Sequence, residues 1–213
     1  ARSSSGARPL VCFSSGHGEP SLDQGGPSGL AALADRLTKN NYEVVEIEPL
    51  RTSEDKSAID RCSVFVLAGP TDPVPAEDAA SMRAFLDKGG SALLVVGPVP
   101  DEKEEGYLDL GVADLLAHAG VAAQSDFIFE LNPMHRSSQG FGETFLPIPK
   151  AHAITDGLIR AAERDKGLAV VVTVAGSLVP TKASAAAPAP LLVTSEDAFG
   201  MADFLAWARD PVA

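Results

Sequence analysis

The chain has 213 residues, 45 % of them hydrophobic, and carries 17 Lys plus Arg against 29 Asp plus Glu, a formal net charge of −12. That length and apolar content are enough for one large domain with a substantial core. The acidic balance, the scattered basic residues and an aromatic content of 6 % argue against nucleic acid as a partner, since a phosphate backbone would meet a repelling field and no stacking platform.

Residues 1–8 read as a flexible lead-in and residues 9–208 as a single α/β domain. Pro9 to Ser14 is an apolar strand that empties into the small polar loop Ser15-Gly16-His17-Gly18-Glu19-Pro20. Pro27 and Ser28 open a helix in which Leu30, Leu33, Ala34 and Leu37 share one face, and Asn40 and Asn41 end it. Tyr42 to Ile47 and Cys62 to Leu67 are two further strands, both expected to be well buried. After the turn Ala68-Gly69-Pro70-Thr71-Asp72-Pro73, Pro75 starts a helix with Ala79, Met82, Phe85 and Leu86 inward, and Ser91 to Val96 is a fourth strand. The acidic run Asp101 to Glu105 is a solvated turn or a helix start.

Leu110 to His118 is a helix closed by Gly120, followed by short strands around Val121 and Phe127 to Phe129. Periodicity is lost over about 131–150, which reads as an irregular insertion. His152 to Leu158 is a short helical turn, Leu168 to Val174 a β-branched strand, and about 181–190 an Ala/Pro-rich mobile loop. Leu191 to Thr194 is the last strand, before an apolar terminal segment with Phe199, Phe204 and Trp207. Strands alternating with helices predict a mainly parallel central sheet between helical layers.

In such a sheet, ligands sit beyond the carboxyl ends of the strands. The residues that reach this rim with hydrogen-bonding chemistry are Ser15, His17, Glu19, Thr71, Asp72, Thr194 and Ser195. His17 and Glu19 share one loop and suit acid/base work, two of the three ligands of a metal, or hydrogen bonding to a sugar or peptide; they also suit capping of a tight turn. His118, His135 and His152 have no paired spacing, so no metal site is predicted. Gly16 and Gly18 do not complete a dinucleotide fingerprint, and no phosphate loop or nucleophile elbow occurs, so neither a cofactor nor a catalytic residue is assigned. A hydrolase or amidotransferase-like enzyme using His17 or His135 with Glu19 or Asp72 is the competing reading, and a purely structural scaffold is a third. Cys12 and Cys62 have no metal-ligand spacing and read as buried free thiols, because cross-strand disulfides inside a sheet are geometrically demanding; pairing is the other reading.

Gly16-His17-Gly18-Glu19-Pro20, Ala68-Gly69-Pro70, Lys88-Gly89-Gly90, His152-Ala153-Ile154-Thr155-Asp156-Gly157-Leu158 and Leu191 to Phe199 occur in an order that resembles the GldG-type auxiliary domain of ABC transporter systems. The likeness runs from about Pro9 to about Phe204. Ala153, where Pro is expected, and Phe199, where Trp is usual, depart from the family pattern. The resemblance implies a flavodoxin-like, three-layer sandwich related to class I glutamine amidotransferases. It implies no enzyme activity, a place on the outer, periplasmic side of a bacterial membrane, and tethering by helices outside this chain. Its partners would be ABC transporter membrane and ATPase subunits or other envelope proteins, in a transport or gliding-motility-like system. A partner protein or a saccharide-like ligand would bind at the strand ends.

Overall fold

A computed structural model describes residues 7–48, 58–101, 106–138, 140–165, 167–181 and 187–209. The chain divides into two compact units, the first formed by residues 1–96 and 108–115, the second by 97–107 and 116–213.

The first unit is built on a parallel four-stranded sheet. Its elements are β1 (Leu10–Ser14), α1 (Ala31–Lys39), β2 (Glu43–Ile47), a 3₁₀ turn (Ala58–Arg61), β3 (Val64–Ala68), α2 (Ala76–Asp87) and β4 (Ala92–Val95). The strand order is β2-β1-β3-β4, with every pair parallel and Val11 opposite both Val44 and Val64. Val11, Phe13 and Val66 share one face by strand alternation, and Leu30, just before α1, and Leu37, two turns on within it, pack on them. Leu33 on the same stripe stays 41 % exposed. Cys12, Phe65 and Leu67 point to the other face and are fully buried.

Burial does not follow the expectation everywhere. β3 and β1 are central and enclosed, but β2 is an edge strand whose Val44 and Val45 are half-buried, and in β4 both Leu93 and Val95 are exposed. An edge strand has one neighbour instead of two, so a run of apolar residues alone overstates its burial.

The cysteines correct a second expectation. Cys12 and Cys62 form a disulfide, with Cα atoms 5.8 Å apart. Cys62 lies before β3, just after the 3₁₀ turn, where its amide donates to the Ile59 carbonyl. The bond therefore ties a strand to a turn and avoids the strained cross-strand geometry that made free thiols the preferred reading.

The second unit departs from a mainly parallel design. It holds β5 (Pro100–Asp101), β6 (Gly106–Tyr107), β7 (Val121–Ala123), β8 (Phe127–Glu130), β9 (Thr144–Phe145), β10 (Ile148–Pro149), α4 (Asp156–Arg164), β11 (Val172–Thr173), β12 (Leu178–Pro180), β13 (Leu192–Val193), β14 (Ala198–Met201) and α5 (Phe204–Arg209); α3 (Ala113–His118) spans the division between units. Its strands pair antiparallel: β5 with β6, β7 with β12, β8 with β14, β9 with β11 and β10 with β13. Segment 131–150 supplies β9 and β10, while only Val172 and Thr173 of the β-branched run form a strand, because Val174 takes a left-handed φ of 53° that ends the ladder. The segment expected as a helical turn at His152 to Leu158 continues as α4 to Arg164. A small aromatic core joins Phe127, Phe129 and Phe204, with Phe204 edge-on to Phe127 at 4.9 Å. Lys103 and most of the acidic run, and residues 182–186 of the Ala/Pro-rich loop, lie outside the described residues.

Candidate functional site

β1 and β3 are parallel neighbours, so the loops that leave their carboxyl ends come out side by side. This brings together four of the seven predicted site residues. The His17 carbonyl accepts hydrogen bonds from the amides of Thr71 at 2.9 Å and Asp72 at 3.0 Å, and the Thr71 hydroxyl donates to the Gly18 carbonyl. Gly18 has φ +77°, and a Cβ there would run into the Thr71 hydroxyl, which is why the loop needs glycine at that position.

The His17 ring is buried in this junction. Nδ1 lies 3.0 Å from Glu19 Oε1 and Nε2 lies 3.0 Å from Asp78 Oδ2, while the His17 amide donates to Glu19 Oε2 at 2.7 Å. Asp78 stands in the first turn of α2, where its charge also complements the helix dipole. Burial works against a charged imidazole, but the hydrogen bonds and negative charges of Glu19 and Asp78 prevail and hold His17 above its ordinary value of 6.5. Burial likewise works against the Glu19 carboxylate, and hydrogen bonds from Ser14 and His17 hold it below the ordinary glutamate value.

Of the other predicted residues, Ser15 is half-buried, its amide on the Ile47 carbonyl at 3.3 Å. Thr71 and Asp72 are exposed residues whose side chains lie against Gly18. Ser195 belongs to the second unit and is held by a buried acid of β8, Glu130. Its amide donates to Glu130 Oε2 at 2.9 Å and its hydroxyl to Oε1 at 2.6 Å, and the Asn132 amide also donates to Oε1. Burial opposes the Glu130 charge, yet these donors and the nearby His135 keep its carboxyl below the usual range.

Thr194 lines a groove of about 560 Å³ inside the second unit. Val121, Ile128, Phe145, Leu178 and Leu192 form much of its wall, no lining residue is charged, and Ser177 and Thr194 supply hydroxyl groups. Ser177 is held as Ser195 is: its amide and hydroxyl donate to Asp126 at 2.8 and 2.6 Å. The two acids that bracket β8 thus each fix one serine, and one of these serines and the neighbour of the other line the groove. Volume and lining are those of small-ligand or short-segment sites.

Sequence reasoning missed Asp78, Asp126 and Glu130. Asp78 reads as a first-turn acid of a helix, a common surface feature. Glu130 did carry a signal: an acid closing the apolar run Phe127-Ile128-Phe129 is either at the surface or paired. Among the described residues no group of three or more His, Cys, Asp or Glu could hold a metal ion, and no helix is long and apolar enough to cross a membrane.

A family model described as "ABC-type uncharacterized transport system" matches residues 8–212. The chain belongs to that family. Membership joins this ABC-type transport chain to transporter partners in general, associates it with the cell envelope, and points to an auxiliary role in place of an enzymatic one. Among solved structures it is similar to one titled "mmIFT52 N-terminal domain", with 19 % identity and a TM-score of 0.60, over 90 % of this chain and 75 % of that one. At that identity the likeness concerns the fold. No curated protein matches the chain.

Proposed function

We propose that this chain is a non-catalytic, extracytoplasmic auxiliary domain of an ABC-type transport system that docks a protein partner of the transporter. The observation that carries the non-catalytic half is the enclosure of His17: both ring nitrogens face carboxylates at 3.0 Å, leaving none to accept a substrate proton. The apolar, uncharged groove with exposed Leu178 and half-buried Val193 beside it supports docking of an apolar segment better than of a saccharide, which would call for an exposed aromatic face and more hydroxyl partners. The Cys12–Cys62 bond supports an oxidising, extracytoplasmic setting. The order β2-β1-β3-β4 coincides with the first four positions of the doubly wound order 2-1-3-4-5 and supports a flavodoxin-like origin for the first unit.

Co-purification of the chain with the transporter's membrane and ATPase subunits tests the reading. Leu178→Asp with Leu192→Asp is expected to reduce recovery roughly tenfold, since each buries a charge in the contact, with the circular dichroism spectrum unchanged. Undiminished recovery would remove the groove from the proposal. Glycan binding that survives the double variant and is lost in Thr71→Ala/Asp72→Ala would move the function to a saccharide-like ligand at the strand ends, and hydrolytic turnover abolished by His17→Gln would establish the enzyme.

A further inference from the structure

The His17 imidazole lies between Glu19 Oε1 at Nδ1 and Asp78 Oδ2 at Nε2, each 3.0 Å away. A carboxylate only accepts, so both contacts are hydrogen bonds only when both ring nitrogens carry protons. A neutral ring in either tautomer sets a lone pair against a carboxylate oxygen, and the side chains of His17, Glu19 and Asp78 are only 5 %, 1 % and 11 % exposed, so little water is at hand to relieve it. Among the described residues, the other ionisable groups near this loop are Glu48, whose carboxylate lies against Gly16, Asp72, whose amide is on the His17 carbonyl, and Glu77, next to Asp78 on α2. All three are acids, and in the described contacts both ring nitrogens meet carboxylates.

We propose that His17 is a resident imidazolium that locks the loop between β1 and α1 to α2, and that its deprotonation as pH rises releases that loop together with the Thr71–Asp72 turn. The mechanical link is short. His17 holds α2 through its ring and the turn after β3 through its main-chain carbonyl, so one residue joins three segments of the first unit. Losing the ring proton replaces one hydrogen bond by a repulsion, at a loop whose Gly16 and Gly18 already take left-handed φ values.

The direction in pH follows from the two groups. His17 is raised above 6.5, so its stabilisation is complete below pH 6.5 and disappears as pH climbs through the higher folded value. Glu19 is lowered from 4.5, so its stabilisation is complete above pH 4.5 and disappears as pH falls through the lower folded value. The lock is firmest between these limits and opens on the alkaline side by loss of the imidazolium. The exposed side chains of Thr71 and Asp72 ride on it, so pH sets the form of the rim at the strand ends.

The whole chain, labelled with ¹⁵N, is followed by NMR from about pH 5 to about pH 9. Expected are a His17 ring protonated on both nitrogens at pH 6.5, a midpoint above that value, and a roughly tenfold fall in the exchange protection factors of the Thr71 and Asp72 amides across the same midpoint. Asp78→Asn keeps the shape and removes one charge; it is expected to lower the midpoint by about one pH unit and to carry the loss of protection with it. A single neutral tautomer at pH 6.5, or Thr71 and Asp72 protection that stays flat while the ring titrates, overturns the proposal, and the wild-type titration decides it even where the variant fails to fold.

Discussion

The two units solve the same problem, a carboxylate out of water, in different ways. In the first, Glu19 and Asp78 enclose an imidazole, so charge is met by charge. In the second, Asp126 and Glu130 meet no cation at hydrogen-bond distance in the described contacts and are held by amides and hydroxyls of Ser177, Ser195 and Asn132. Charge-to-charge pairing seals a junction and ties it to pH. Pairing with uncharged donors leaves the walls of a groove fixed and the groove itself free of charge. The difference teaches that buried acids here mark sites of construction, and that the construction in the second unit flanks an uncharged groove.

That contrast can be broken most sharply through the disulfide. Closing a loop across a sequence separation of 50 residues is worth about 4 kcal/mol in the chain-entropy model, with measured losses of about 2–5 kcal/mol for native bridges. Cys12→Ala/Cys62→Ala is therefore expected to lower the unfolding free energy of the first unit, measured by denaturant titration, by that amount and to leave amide protection around Glu130 unchanged. Glu130→Ala should act in the opposite place. It leaves the Ser195 amide and hydroxyl and the Asn132 amide without their acceptor, a loss of about 2–3 kcal/mol for a part-buried group, measured as destabilisation of the second unit with the His17 titration unmoved. Gly18→Ala is expected to cost about 1–2 kcal/mol through its left-handed backbone and the collision with Thr71, and to weaken Thr71 and Asp72 protection even at pH 6, where the lock is otherwise complete. Equal effects of all three variants on both units would erase the distinction.

Much of the first unit was legible because its signals are local. The apolar runs at Leu10 to Ser14 and Val64 to Ala68, the helical stripe from Leu30 to Leu37 and the Pro75 helix start all became elements within a residue or two of the expected bounds, apart from α1, which starts at Ala31 beyond Pro27 and Ser28. The second unit was read less well, since strands of two to four residues give too few positions for alternation to show and are made by partners far along the chain. β5, β6, β9, β10, β12 and β14 were not read as strands for that reason. At the site, Gly18 and His17 announced a tight loop, but pairing with Asp78 is separated by 61 residues and depends on where α2 begins. The disulfide was hidden by a boundary error of two residues: with Cys62 assigned to the strand, the bond looked strained, and with Cys62 before Val64 it does not.

The disulfide also decides how the chain transmits tension. A pull on the two ends of the first unit passes from Cys12 to Cys62 through a bridge whose Cα atoms are 5.8 Å apart, and the chain closed by it, a sequence separation of 50 or about 170 Å of extended backbone, stays out of the load path. Reduction would return that hidden length to the chain, so a force-extension trace recorded with and without a reductant would read the difference directly as contour length.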